Sequence, residues 1–146
     1  MKIILTSDHA GFELKEKIKS YLTERNFEVV DAGCNSKESV DYPDYGYKAA
    51  QMVSSKSVDR GILVCATGIG MSIVANKVKG IRAALVTLTE QAELTRKHND
   101  SNILCLPGKF MDENTAKRIV DIWLNTEFEG GRHLRRINKI HNLTNI

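Results

Sequence analysis

The sequence has no long hydrophobic run among its 146 residues. Its apolar stretches are short, as in Ile62 to Ala66, whereas a membrane-spanning helix needs about 20 apolar residues. The apolar start before Thr6 is also too short for the core of a signal peptide. With 42% hydrophobic and 27% charged residues, the chain has the composition of a folded domain. We therefore expect one soluble, cytoplasmic domain over residues 1–146 that does not bind membranes.

Cysteine is scarce, and no cysteine belongs to a metal or disulfide motif. The three cysteines are Cys34, Cys65 and Cys105. An odd number without an export signal indicates free thiols. The chain also lacks the CxxC, HExxH and HxH spacings that are typical of metal ligands. We therefore predict that the protein needs neither a metal ion nor another cofactor.

Positive charge is concentrated in residues 130–146, which contain four basic residues and no acidic one. Arg132 and Arg136 are four residues apart, so one helical face can present both to a single phosphate. A solvated helix face would show the same charge pattern. Nucleic-acid binding is not favoured, because this segment has no aromatic residue on which a base could stack.

Hydrophobic periodicity predicts alternating strands and helices. The predicted strands are residues 2–7, 27–31, 61–66, 81–86 and 103–106, and the helices between them include residues 11–25, 43–53, 89–97 and 112–126. This alternation predicts a five-stranded parallel sheet between two helical layers. Thr89 is predicted to cap its helix. The segment after Gly130 and Gly131 is predicted to be a basic helical tail, with its helix at about residues 132–140.

The ends of two predicted strands carry unusual residues, and ligands of such sheets bind beyond the carboxyl ends of strands. Asp8 and His9 follow the first strand. Cys65 ends the third strand, before a turn in which Gly68 and Gly70 allow backbone N–H groups to face an anion. These glycines would equally suit a tight strand-to-helix turn without any ligand.

Cys65 has the sequence context of a reactive cysteine. A thiol at a helix N-terminus is expected to have a lowered pKa, and it can act as a base or a nucleophile. A small buried apolar residue is the alternative, which suits Cys34 and Cys105 better. His98, at the end of the fourth helix, supplies a group that titrates near neutrality. Its neighbours Asn99 and Asn102 are explained as helix C-cap residues.

Five segments together resemble the ribose-5-phosphate isomerase type B family, which includes allose- and galactose-6-phosphate isomerases. They are SDHAGFELK (7–15), DYPDY (41–45), CATGIGMSIVANKVKGIRAA (65–84), HNDSNILCLPGK (98–109) and EGGRHLRR (129–136). The match follows the chain in order over nearly its whole length.

The resemblance implies a Rossmann-like α/β/α fold and a metal-independent isomerase that interconverts ribose 5-phosphate and ribulose 5-phosphate through a cis-enediolate. It implies Cys65 as the base and His98 as the group that opens the sugar ring. The resemblance also places Thr67 among the catalytic residues. The other substrate contacts that it implies are Asp8, His9, Ala66, Gly68, Ile69, Gly70, Asn99, Lys109, Arg132 and Arg136.

Two residues depart from the family pattern. Ala66 stands where glycine is usual, and Lys109 stands where arginine is usual, which keeps the charge but loses the bidentate fork. Some relatives use a glutamate in the glycine loop as the base, but Met71 and Val74 occupy the candidate positions here. The alternatives that stay open are a six-carbon sugar phosphate as substrate and a non-catalytic regulator that binds sugar phosphates.

The predicted positions of the strand ends also have a consequence for assembly. Cys65 is expected at the carboxyl edge of the sheet and His98 near the opposite edge, about 17–20 Å away. One small sugar cannot reach both groups within one chain. We therefore predict a homodimer, or a dimer of dimers, with active sites shared between chains.

Overall fold

Five parallel strands form one sheet in the computed structural model, which describes all 146 residues. The strands are β1 (Lys2–Ser7), β2 (Glu28–Asp31), β3 (Arg60–Cys65), β4 (Ala83–Leu85) and β5 (Ile103–Pro107). Their order in the sheet is β2-β1-β3-β5-β4. The central strands β1, β3 and β5 are almost entirely buried, which explains why they are apolar without alternation.

Six helices cover the sheet. They are α1 (Phe12–Glu24), α2 (Tyr42–Ser54), α3 (Ile69–Ala75), α4 (Thr89–Asn99), α5 (Glu113–Asn125) and α6 (Arg132–Thr144). One apolar core packs α1 and α5 against one sheet face, and a second packs α2 and α3 against the other. The predicted three-layer α/β/α fold is therefore confirmed. No helix combines the length and the apolar character that crossing a membrane requires.

Some predicted boundaries are wrong, and side-chain hydrogen bonds explain one of them. The fourth strand has only three residues, Ala83–Leu85, and it is the outer strand of the sheet, where the Asn76 amide group bonds both the N–H and the carbonyl of Ala83, at 2.9 Å each. Thr89 does not cap α4, since the Gln91 side chain accepts the N–H groups of Thr87 and Leu88 instead. The last helix continues to Thr144 rather than ending near residue 140.

The end of α4 also differs from the prediction. Asn99 is still helical, and Asp100 is the C-cap residue, in the left-handed region with φ 45°. Asn102 caps no helix. Its side chain accepts the N–H of Arg82 at 2.8 Å and donates to the carbonyl of Gly80 at 2.9 Å, so it joins β5 to the segment before β4.

A buried lysine ties α1 to β2. The Lys15 side chain is fully buried, and its ammonium group donates to Asp31 at 2.9 Å and to Glu16 at 2.6 Å. Lys19 donates to the same Asp31 carboxylate at 2.5 Å. Burial raises the pKa of Asp31, but hydrogen bonds from Lys19, Lys15 and the Gly33 N–H outweigh it, so the pKa lies below its ordinary value.

We predict that Asp31→Asn lowers the free energy of unfolding by about 2–3 kcal/mol at pH 7, because the buried Lys15 charge loses its main partner. A carboxylate with a lowered folded-state pKa stabilises the fold above its unfolded pKa of about 4, and that contribution disappears as pH falls through the folded pKa. The difference between the two proteins, measured by urea unfolding, should therefore shrink below about pH 4. Glu28→Gln, in an exposed pair, is the control and should change stability by less than about 0.5 kcal/mol. An equal difference at all pH values would contradict the assignment.

Candidate active site

The carboxyl ends of β1 and β3 lie side by side. Asp8 is buried, its N–H donates to the Val64 carbonyl at 3.2 Å, and its Oδ1 accepts the Gly11 N–H at 3.0 Å. These bonds hold the turn after β1 against the end of β3. Asp8 and His9 therefore stand beside the Cys65 loop, as the sequence predicted for two strand ends in one parallel sheet.

A hydrogen bond defines which ring nitrogen of His9 faces a ligand. Nδ1 of His9 accepts the N–H of Val40 at 3.2 Å. In the neutral imidazole the proton then resides on Nε2, which can donate to an anionic or hydroxyl oxygen. The loop before α2 thus restrains the His9 ring through Nδ1 and leaves Nε2 without a protein partner.

The Cys65 thiol lies at the N-terminal end of α3, as predicted. Its Sγ accepts the Gly68 N–H at 3.1 Å, and the residue is only 5% exposed. The hydrogen bond from the Gly68 N–H fixes the position of the sulfur at the start of α3. Gly68 adopts φ 74°, the left-handed conformation that returns its N–H toward the sulfur. The sulfur is therefore held by a glycine turn.

The remaining residues of this loop form a cradle of backbone groups. Thr67 Oγ1 accepts the Ile69 N–H at 3.2 Å. The ring of Tyr42 covers Gly70 so closely that a Cβ there would lie 2.7 Å from it. The loop after β5 borders the cradle, since the Lys109 N–H donates to the Ala66 carbonyl at 3.0 Å. Lys109 itself is exposed and forms no salt bridge, so its charge is available to a ligand.

The other two cysteines lie away from the loop surface. Cys105 is fully buried in β5, and burial, together with neighbouring Cys65, raises its pKa far above the ordinary value. Cys34 is buried beside Ser7, whose Oγ lies 3.8 Å from its sulfur. Cys105 therefore fills the apolar role that the sequence suggested for it, whereas the Cys34 sulfur also donates to the Ser36 carbonyl at 3.3 Å.

A second group of predicted residues lies at the opposite, amino edge of the sheet. His98 is half-buried in the last turn of α4, whose end is held by Asp100 between two arginines. Asp100 accepts from Arg96 at 2.7 Å and from Arg82 at 3.0 Å. The Nε of Arg82 also donates to the Asn99 carbonyl at 2.8 Å. This ion network positions His98 at the amino edge.

The basic residues of α6 stand beside His98. Arg132 and Arg136 are exposed on α6 and form no salt bridge, so their guanidinium groups are available to an anion. The His98 ring stacks on that of His133, with centroids 4.3 Å apart and planes inclined by 13°. Asn99 is exposed in the same region. A cavity of about 400 Å³ under α6 includes Asn99 but not Cys65 or His98.

Three potential metal ligands meet at this edge, but their geometry does not suit a metal ion. The ligand atoms of His98, Glu129 and His133 lie within 4.8 Å of one another. Imidazole nitrogens bind metals with lone pairs that lie in the ring plane. In two rings stacked almost parallel, these lone pairs do not converge on one point. Neighbouring Arg132 adds positive charge, which also opposes a cation.

The two groups of residues are separated by the length of a strand. Cys65 ends β3, whereas His98 lies with the residues that precede β4 and β5. The six residues of β3 span about 17 Å at 3.3 Å per residue. The structure thus brings Asp8, His9, Lys109 and the loop 65–70 together, and separately His98, Asn99, Arg132 and Arg136.

Some residues of both groups were not predicted. In the sequence, His133 stands out only as part of the EGGRHLRR motif. No sequence pattern assigns the Asp100 network or the Val40 N–H to the site. The four-residue spacing of Arg96 and Asp100 was an available signal for an ion pair. The contacts of Val40 and His133 join residues distant in the chain, so no local pattern reports them.

Comparison with known proteins gives consistent matches over nearly the whole chain. Residues 3–140 match the family model described as Ribose/Galactose Isomerase. Ribose-5-phosphate isomerase B of Escherichia coli K12 is 46% identical over 139 residues, which cover 95% of this chain and 93% of that protein.

Two solved structures also match the fold over nearly the whole chain. The Clostridium thermocellum ribose-5-phosphate isomerase B has a TM-score of 0.98 at 50% identity, covering 99% of this chain and 98% of that one. The Mycoplasma genitalium ribose-5-phosphate isomerase B, solved with bound ribulose 5-phosphate, has a TM-score of 0.95 at 44% identity, covering 99% and 96%.

We predict that Gly68→Ala destabilises the protein more than Gly80→Ala. Both glycines have positive φ, but a Cβ at Gly68 would lie 2.6 Å from Leu85 Cδ1 and 3.1 Å from the Leu106 carbonyl carbon, whereas nothing lies within 4 Å at Gly80. Gly80→Ala should cost about 1 kcal/mol for the backbone conformation alone. Gly68→Ala should cost about 1–3 kcal/mol more for the steric clash. Urea unfolding measures both, and equal losses would show that the loop accepts a side chain.

Proposed function

The chain belongs to the ribose/galactose isomerase family, and from this we propose that it interconverts ribose 5-phosphate and ribulose 5-phosphate. The observation that carries the proposal is the Cys65 thiol, which the Gly68 N–H holds at the edge of a cradle of backbone amides. A regulator that only binds sugar phosphates needs no such thiol. The ribulose 5-phosphate bound by the Mycoplasma genitalium relative supports a five-carbon substrate.

In the proposed chemistry one base moves a proton between two carbons. The Cys65 thiolate removes the proton from C2 of the open-chain aldose, which gives a cis-enediolate with negative charge on the C1 oxygen. A proton passes from the C2 hydroxyl to the C1 oxygen, and the Cys65 thiol returns its proton to C1. The product is the ketose, with no net gain or loss of atoms or electrons.

The cradle around Cys65 stabilises the charge that develops. The backbone N–H groups of Ala66, Thr67 and Gly70 donate to no group of the chain, whereas those of Gly68 and Ile69 donate to Cys65 Sγ and Thr67 Oγ1. The free donors are fixed in place before the reaction, so they need not reorganise when the enediolate forms. Each well-placed donor contributes about 3 kcal/mol in comparable sites. We propose that Thr67 and the amides beside it hold the enediolate oxygens, without the help of a metal ion. Ala66 adds one methyl group in this loop, where the family usually has glycine.

The substrate enters the reaction as a closed ring, so a second group is needed to open that ring. We propose that His98 opens the furanose by moving a proton from the anomeric hydroxyl to the ring oxygen. Arg132 and Arg136 bind the phosphate, assisted by Nε2–H of His9. Asp8, Asn99 and Lys109 bind the remaining polar groups. Phosphate binding far from C1 and C2 supplies energy that positions the reacting carbons.

We propose that the working unit is a homodimer with two shared sites. Within one chain the Cys65 group and the His98 group are separated by about 17 Å, the length of β3. A pentose phosphate cannot contact both groups across that distance. A two-fold axis that places the amino edge of one chain against the carboxyl edge of the other completes two identical sites at once.

Cys65→Ala should abolish isomerisation, lowering kcat by at least about 1000-fold, because the base is lost and the amide cradle remains. Ribose 5-phosphate binding, measured by calorimetry, should change little. Cys34→Ala and Cys105→Ala are the matched controls, and both should retain most of the activity. If Cys65→Ala keeps more than a few per cent of the rate, another group is the base.

Arg136→Ala should raise KM for ribose 5-phosphate and weaken inhibition by inorganic phosphate, each by about 10-fold or more, since charge-assisted hydrogen bonds are lost. Arg135→Ala removes the same charge one position earlier on α6 and is the control. Steady-state kinetics of the two variants test the phosphate site. If both constants are unchanged in Arg136→Ala, the phosphate binds elsewhere.

Mixed dimers test the shared site. Inactive Cys65→Ala and His98→Ala proteins, unfolded together and refolded, should form heterodimers with one intact site and one doubly defective site. Activity should then return to about one quarter of the wild-type value, because half of the dimers are mixed and each has one working site. Exchange is verified by native mass spectrometry. Heterodimers without activity would place the complete site within one chain.

A further inference from the structure

His133 is the only buried polar residue of the basic segment 130–146. It lies in the first turn of α6, is 6% exposed, and its Nε2 has no hydrogen-bond partner. Its ring stacks face to face on His98. We infer that His133 is a positioning residue, whose ring holds the His98 imidazole in the orientation that ring opening requires. This inference rests on the proposed role of His98.

Stacking supplies a restraint that His98 otherwise lacks. The second side-chain torsion angle of histidine has a broad distribution, so a ring without packing contacts rotates about this bond. A centroid separation of 4.3 Å and an inclination of 13° restrain the plane of the His98 ring against that of its neighbour. Proton transfer to a ring oxygen depends on direction as well as distance, so a fixed ring plane increases the rate.

The two ring-bearing elements are also tied together by the backbone. The Glu129 N–H donates to the carbonyl of Lys97 at 3.1 Å, which links the loop before α6 to the residue preceding His98. The His133 N–H donates to the Gly130 carbonyl at 3.0 Å and starts α6. The last turn of α4 and the first turn of α6 therefore form one unit, and the stack does not depend on side-chain contacts alone.

His133 suits this role because it remains neutral. Burial lowers its pKa, and the positive charges of His98, Arg132 and Arg136 lower it further. Glu129 opposes them, with its carboxylate 3.6 Å from Nε2, but does not reverse the direction. Two charged rings in contact would repel each other, so a neutral His133 keeps the stack favourable.

The test compares two substitutions of similar size. His133→Phe keeps an aromatic face and removes both nitrogens, whereas His133→Leu fills the space without an aromatic face. We expect His133→Leu to lower kcat for ribose 5-phosphate by about 10-fold, and His133→Phe to remain within about 3-fold of wild type. KM and inhibition by inorganic phosphate should stay within about 2-fold in both variants, because the phosphate ligands are unaltered. His141→Phe, two turns along α6, is the control for loss of a histidine.

A double-mutant cycle separates positioning from general damage. If His133 acts through His98, the variant carrying His98→Ala and His133→Leu should be no slower than His98→Ala alone. The acid side of the kcat pH profile should be unchanged in His133→Phe, because His133 itself transfers no proton. Circular dichroism verifies that each variant is folded.

Several results would overturn the inference. Equal loss in the Phe and Leu variants would show that a nitrogen of His133 is needed rather than its face. Additive losses in the double variant, or a rise in KM that matches the fall in kcat, would show a structural role in α6. If His98→Ala itself retains wild-type kcat, the proposed role of His98 fails, and this outcome is distinguishable because His133 is unchanged in that variant.

Discussion

All five strands run in one direction, so the carboxyl edge of the sheet, where the strands end, carries different residues from the amino edge, where the strands begin. The carboxyl edge carries the Cys65 thiol, the amide cradle and His9, whereas the amino edge carries His98 and the arginines of α6. This separation follows from the parallel pairing of all the strands, which places every strand end on one side of the sheet and every strand start on the other. Every element of the proposed mechanism depends on it, because a base and a ring-opening group one strand apart can serve one sugar only through a second chain.

Each half of the proposed site is made rigid by a different kind of interaction. At the carboxyl edge the support is backbone: the Gly68 N–H on the sulfur, and the bonds of Asp8 and Lys109 to neighbouring loops. At the amino edge the support is charge, since Asp100 joins two arginines at the end of α4. Backbone N–H groups can stabilise the oxyanion that is proposed to develop beside Cys65. The ion network fixes the end of α4, where His98 is proposed to open the sugar ring.

The fold was largely predictable from the sequence, because its signals are local. The apolar run of β3 and the apolar stripe of α5 can be recognised from the spacing of apolar residues along the chain alone. Segments of this kind specify the three layers. The error at the start of α4 arises because the Gln91 side chain bonds the N–H groups of Thr87 and Leu88, which precede the helix. The predicted fourth strand is too long; β4 is the outer strand and pairs only with β5, and the order of strands in a sheet is a tertiary property.

The sequence by itself determined the residue types of the site: a thiol before a glycine turn, a histidine at a helix end, and arginines four apart. Each is a short-range pattern with a chemical meaning. The placement of Cys65 and His98 at opposite edges followed from the predicted strand ends, but only the tertiary structure brought the Val40 N–H to His9 and stacked His98 on His133. Such contacts join positions far apart in the chain, and their distances are properties of the packed layers rather than of any local segment.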